Sequence, residues 1–318
     1  GPAASLGSAE EPASIWAPQL RRVTVATLTT VAITAFDGLS VVAALPAIGR
    51  DLGEVALLPW VVTLFVLVTA ISTIVGGPLI DGWGAQRTFR VGVCIFLVAS
   101  VLCTIAPTMH TLIAARAGQS LGLGLTMATA ITTVGLTYPS RLRPRAFAAQ
   151  SMVWGLFGFG GPPLVALAVS TVGWRGVFAA NLPVGVFAAV TGWNRLPTRT
   201  ASSSERLLLD WGSVALLSGF SAATLIGLSS MGSHTVPLLA VAVALAATYW
   251  HYSATRPNAV LSRRHLTTPQ LWRWNVFMVL AFAAGIGPSE YLAVYARGAD
   301  GYSEGAAALF VLFLSTAW

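Results

Sequence analysis

Long apolar runs separated by short polar breaks dominate the chain, and ten of them stand out: residues 23–45, 58–80, 88–106, 111–136, 147–170, 176–194, 210–231, 235–252, 272–296 and 303 onward. A bilayer's hydrocarbon core, about 30 Å thick, takes a helix of about 20 apolar residues. Only helices or closed barrels cross it with every backbone group bonded. Run length therefore predicts ten transmembrane helices. The last run reaches Trp318 after too few residues to cross, so the chain is expected to be a fragment. Gly1-Pro2, with no initiating methionine, resembles a scar of tag cleavage, and the polar stretch after it reads as a flexible tail.

Composition agrees with this reading. The chain is 55% hydrophobic and 9% charged, with mean hydropathy +0.75, whereas soluble domains carry about 25% charged residues. The fold class expected is an all-α polytopic membrane protein, with the lipid bilayer as its first partner.

The net charge of +7 changes the picture only as topology, because the basic residues sit in short clusters between runs and form no single face for nucleic acid. If Arg21 and Arg22 lie inside, fourteen arginines fall on the cytoplasmic side, while Arg50, Arg175 and Arg297 fall outside. That asymmetry puts the amino terminus in the cytoplasm. All basic residues are arginine, so no lysine is present to complete a phosphate-binding loop of the Walker type. The chain is read as neither an ATPase nor an enzyme, needing no cofactor. Cys94 and Cys103, nine residues apart on one helix, are about 13 Å apart, too far for a disulfide, and read as small core residues. The four histidines show no metal-ligand spacing.

One linker, PTRTASSSERLLLD from Pro197 to Asp210, has the composition of a surface segment. The organisation expected is a tail at 1–20, a six-helix bundle at 21–196, a linker at 197–209, two helices at 210–252, and the start of a second bundle at 253–318.

The candidate chemistry lies in ionisable residues inside the runs, where a charge is costly and needs a partner, a cavity or a proton. Asp37 falls about 9 Å from the outer edge of its span, and Arg116 about 8 Å from the same edge of its own. Matched depth makes them candidates for an ion pair that opens when the acid is protonated, or for a static structural pair. Glu290, after Gly285, Gly287 and Pro288, is either part of a substrate site or an acid reaching for the outer interface. Trp154 and Phe157 are candidates for a cavity wall. Gly155, Gly158, Gly160 and Gly161, followed by Pro162 and Pro163, suit either close helix packing or a hinge. Asp210, Glu205, Asp300 and Glu304 at span ends are read as solvated.

Several stretches carry a resemblance to a known family. Asp37, Val41, Ala44, Leu45, Pro46 and Ile48 match the pattern D-x-T-x-V-x-x-A-L-P-x-I of the fourteen-span drug:proton antiporters of the major facilitator superfamily, with Leu39 in place of the threonine. Gly173-Trp174-Arg175-Gly-Val-Phe178-Ala-Ala-Asn181-Leu-Pro183-Val-Gly185 is similar to that family's GWRWIFxINxPIG. The segment from Leu112 to Gly124, with Arg116 and Gln119, resembles LxxxRxxQGxG, and Gly161-Pro162 resembles GPxxGG. Gly77 to Arg87 resembles the loop GxLaDRxGRRxxL, keeping Asp81 and Gly84 but carrying Gly82, Ala85 and Gln86 at its basic positions.

The resemblance implies a major facilitator fold: a first six-helix bundle, two inserted helices, and the start of a second bundle. It implies a monomer in the cell membrane that exports amphipathic or cationic small molecules, with the proton gradient as energy source. Asp37 and Arg116 would couple to protons, and Asp37, Trp154, Phe157 and Glu290 would line the substrate cavity. Asp81, Gly84, Arg87 and Arg145 would form a conformational latch, while Gly158, Gly161 and Pro162 would be the antiporter hinge. Other readings remain open: a lipid or metabolite transporter of the same fold, an importer, or a non-transporting sensor or assembly partner, which the degraded loop favours.

Overall fold

The structure is a computed structural model that describes residues 12–198, 210–229, 235–256, 259–261, 267–277 and 280. Among them are eight long helices: α1 (Arg21–Leu52), α2 (Leu58–Trp83), α3 (Ala85–Thr104), α4 (Met109–Thr137), α5 (Arg143–Val172), α6 (Trp174–Gly192), α7 (Trp211–Ser229) and α8 (Thr235–Thr255). Six helices among the described residues are long and apolar enough to cross a membrane by length and composition. The first eight apolar runs each coincide with one helix; of the ninth only residues 272–277 and 280 are described, and the tenth lies outside the described residues.

The chain forms two compact units, the first holding α1 to α4, α6 and both ends of α5, the second holding α7, α8 and residues 155–164. In the first unit α2 and α3 lie along α4, and α1 and α3 lie along α6. Apolar burial does not bring helices together in lipid, so close backbone approach between small residues matters more. A Cβ on Gly122 of α4 would stand 2.5 Å from the Gly92 carbonyl oxygen and 2.6 Å from the Phe96 amide nitrogen of α3. A Cβ on Gly124 would meet the Thr69 carbonyl oxygen of α2 at 2.5 Å. These glycines are where α4 meets α3 and α2.

Two ends of this bundle are held differently. At the end where α1 finishes, Gly173 takes φ +76°, a conformation glycine adopts at no steric cost, and turns the chain from α5 into α6. The next two residues then reach one carboxylate: the Trp174 indole N–H donates to Asp51 Oδ2 at 2.9 Å and Arg175 Nη1 at 2.6 Å. Arg175 Nη2 also donates to the Ala106 carbonyl at 3.1 Å. The Trp174 hydrogen bond first, and Arg175 second, hold the Asp51 carboxyl below its ordinary value of 3.8.

At the opposite end, Thr24 Oγ1 donates to the Ile15 carbonyl at 2.6 Å and pairs with the Tyr138 hydroxyl at 2.7 Å. Ile15 and Leu20 are buried with Val134, Tyr138, Leu142 and Ala146. Residues 12–20 are therefore packed, not a flexible tail, because two apolar side chains and a buried threonine fasten them. Arg90 donates to the Trp193 carbonyl and the Asn194 side chain, tying α3 to the end of α6. Cys94 is exposed and only Cys103 buried, so the first is not a core residue.

In the second unit α7 and α8 pack together. Asp210, expected to be solvated, is partly exposed and also accepts from the Ser213 hydroxyl and the Tyr252 hydroxyl, each at 2.6 Å. It fastens the start of α7 to the end of α8.

Gly122→Ala is expected to destabilise the protein by about 1–3 kcal/mol, as overpacking does, whereas Gly135→Ala, whose Cβ meets nothing within 4 Å, leaves thermal unfolding in detergent unchanged. The Asp51 contacts stabilise the fold above pH 3.8 and are lost as pH falls through the lowered value. The melting temperatures of wild type and Asp51→Asn are therefore expected to converge as buffer is taken below pH 3.8.

Candidate functional site

Four helices of the first unit each bring a polar side chain to one level of the bundle interior: Asp37 from α1, Ser100 from α3, Arg116 and Gln119 from α4, and Asn181 from α6. None is more than 1% exposed. On one side the level is covered by Val41, Cys103, Ala115 and Phe178. Ile33, Phe96, Leu123 and Ala188 cover the other side. A polar layer between two apolar layers results.

Charge in such a place is tolerated only with its hydrogen bonds made. Arg116 Nη1 donates to Asp37 Oδ2 at 2.7 Å and to Gln119 Oε1 at 2.6 Å. Asn181 Nδ2 donates to the other carboxylate oxygen, Asp37 Oδ1, at 2.7 Å. Gln119 in turn donates through Nε2 to Ser100 Oγ at 2.8 Å, and Ser100 donates to the Phe96 carbonyl at 2.7 Å. The guanidinium lies 4.6 Å from the centre of the Phe65 ring and 5.7 Å from that of Phe178. Ring faces attract a desolvated cation by about 2 kcal/mol. Some valences stay open: Arg116 Nε, Asn181 Oδ1, Thr34 Oγ1 and Ser40 Oγ are buried with no hydrogen-bond partner.

The structure thus joins Asp37 and Arg116. Asn181, Gln119 and Ser100 also belong to the cluster, and sequence reasoning gave none of them a role. Depth holds the missing signal: Asn181 is sixth in the run 176–194, as Arg116 is in 111–136, and Ser100 lies six residues from the end of 88–106. An inventory of all polar residues at that depth, rather than of ionisable ones, finds them.

The remaining candidates lie elsewhere. Trp154 is 38% exposed on α5, and Phe157 is half-buried on the same helix. Gly158, Gly161 and Pro162 lie within α5; Gly161 is buried, and apart from the adjoining backbone of α5 no described atom comes within 4 Å of a Cβ built at Gly155, Gly158, Gly160 or Gly161. Gly84, at φ +85°, joins α2 to α3. Asp81, Arg87 and Arg145 are exposed, and among the described residues Asp81 forms no ion pair with either arginine. Glu290 lies outside the described residues. Among the described residues no group of three or more His, Cys, Asp or Glu stands ready to hold a metal ion.

The sequence pattern of the Major Facilitator Superfamily matches residues 26–318. The chain belongs to the Major Facilitator Superfamily. The riboflavin transporter RibZ of Clostridioides difficile (strain 630) is 30% identical over 166 residues, which is 52% of this chain and 36% of that protein. The tetracenomycin C resistance and export protein of Streptomyces glaucescens is 29% identical over 280 residues, 86% of this chain and 52% of that protein. The chain thus spans about half or less of the length of these relatives. The crystal structure of a D-xylose-proton symporter superposes with TM-score 0.53 at 12% identity, covering 94% of this chain and 79% of the symporter. That likeness shows the fold, and with the apolar helices it makes this superfamily member a multi-pass membrane protein.

Removing one partner of a buried pair strands the other, at about 3–5 kcal/mol. Asp37→Leu and Arg116→Leu are each expected to cost that much, and the double variant less than their sum. Thermal unfolding of the four proteins measures the coupling; additive losses would show that the pair contributes none.

Proposed function

We propose that this chain is part of a proton-coupled secondary transporter of the fourteen-span antiporter group, exporting amphipathic or cationic small molecules by alternating access. One observation carries the reading: a carboxylate sealed between two apolar layers, with each oxygen held by a different helix, Oδ2 by Arg116 of α4 and Oδ1 by Asn181 of α6. A proton added to Asp37 removes the charge that both bonds depend on. Arg116 keeps Gln119 and the two phenyl rings, so α1 is the element whose ties loosen. On this reading proton binding releases α1 from Arg116 of α4, and proton loss restores the closed arrangement. Substrate and proton compete for the same acid, which makes the exchange obligatory.

Export is supported by the name of the tetracenomycin relative, and the fourteen-span assignment by α7 and α8 following a six-helix set. A hinge is proposed at Gly158, Gly161 and Pro162, where two glycines precede a proline within α5. Trp154, Phe157 and Glu290 are proposed to line the cavity, and Asp81, Gly84, Arg87 and Arg145 to act at the junction of α2 and α3 in another conformation. We place the protein in the cell membrane as a monomer with its amino terminus inside. The riboflavin transporter among its relatives supports a second reading, in which a planar metabolite is the cargo.

The experiment is pH-gradient-driven efflux of ethidium and of riboflavin from liposomes holding the full-length protein, beside Asp37→Asn, whose amide still accepts from Arg116. Gradient-driven efflux of ethidium by wild type, at least tenfold lower in Asp37→Asn, is the expected result. Riboflavin flux without ethidium flux would replace the drug reading by the metabolite one. Undiminished coupling in Asp37→Asn would remove Asp37 from the mechanism.

A further inference from the structure

The amide of Asn181 has an unusual balance of bonds. Its Nδ2 donates to Asp37 Oδ1 at 2.7 Å, while its Oδ1 is buried with no partner, in a side chain 0% exposed. A buried amide oxygen left unbonded costs free energy, and here it sits on the same short side chain as a donor already in contact with the acid. The donor and acceptor of an amide exchange places by a half-turn about Cβ–Cγ. Toward an ionised carboxylate the amide must present N–H, and toward a neutral carboxyl it can present C=O to the new O–H.

We propose that Asn181 is a positioning residue that serves both protonation states of Asp37 by turning its amide, which deepens the proton-coupling reading above and rests on it. When a proton supplied by the gradient forms an O–H bond on Asp37 Oδ1, the half-turn brings Asn181 Oδ1 to accept from it, and Nδ2 moves away. When the proton leaves, the amide turns back and donates again. Arg116 cannot do this, because a guanidinium has donors only. Gln119 is committed, with Oε1 on Arg116 and Nε2 on Ser100. Among the described residues, Arg116 from α4 and Cys103 from α3 are the charged and titratable groups brought near Asp37. Among the described residues, Asn181 is therefore the one uncharged hydrogen-bond partner of the acid that can both give and accept.

Loss of Asn181 takes a partner from both forms of the acid, so each round of proton exchange leaves a buried hydrogen bond unmade. Such a bond to a charged group is worth about a tenfold change. The test is substrate-driven proton flux in proteoliposomes of the full-length protein, with ethidium as probe, for wild type, Asn181→Leu, Asn181→Ala and Asn181→Thr, whose hydroxyl, like the amide, both donates and accepts. Leucine keeps the volume and removes both functions; alanine cannot overpack if leucine fails to fold. Flux about tenfold lower in either folded apolar variant with ethidium binding unchanged, and restored in Asn181→Thr, supports the proposal. Flux unchanged in the apolar variants while thermal stability falls would make Asn181 merely structural and overturn it, as would equal loss in Asn181→Thr, leaving the coupling role of Asp37 intact. Wild type without proton flux would overturn both.

Discussion

A carboxylate and a guanidinium buried side by side impose conditions on everything around them. The pair of Asp37 and Arg116, at 2.7 Å and no more than 1% exposed, gains from mutual attraction only if the cost of taking both charges out of water is offset by further bonds. That requirement brings Asn181 to the second carboxylate oxygen, Gln119 to the guanidinium, and Ser100 to Gln119. Since these residues come from α1, α3, α4 and α6, the bonds also set the register of four helices. A slide of one helix by a single turn, about 5.4 Å, would put a charge against Ile33, Phe96 or Leu123. The apolar layers on either side exclude the water that would otherwise compete for the pair.

Close helix approach makes this geometry possible. Gly92 and Gly122 let α3 and α4 touch backbone to backbone, which places Ser100 within reach of Gln119. The same logic explains the Gly-Trp-Arg stretch opening α6. Gly173 supplies a left-handed corner, and the next two side chains converge on Asp51, so α1 and α6 are clamped near the end closest to the buried pair. By contrast, Asp81 finds no arginine partner among the described residues. Gly82, Ala85 and Gln86 occupy places where the similar loop carries basic side chains, so the charges needed for that contact are missing from the loop itself.

On the proposed reading the cluster is held in two states without being rebuilt. Hydrogen bonds that depend on one charge suit that reading, because a single proton would change several of them at once while the apolar packing stays. An uncharged amide facing the acid would then add a partner for the neutral state, which arginine, with donors only, cannot be. Unbonded valences at Arg116 Nε, Asn181 Oδ1, Thr34 and Ser40 lie in or beside the same cluster.

The apolar runs by themselves determined the helices, because in lipid every backbone group must bond within its own segment and length alone then identifies a span. The level shared by Asp37 and Arg116 was legible for the same reason: rise per residue converts position in a run into depth. Depth says nothing of which face a helix turns inward, and only the tertiary structure decided that Asn181 and Ser100, equally deep, face the pair. Nor could the sequence show that residues 12–20 pack beneath Tyr138, that Cys94 points outward, or that Asp210 joins two helices. Each depends on a neighbour distant in the chain, and rotation about a helix axis is set by those neighbours rather than by hydropathy.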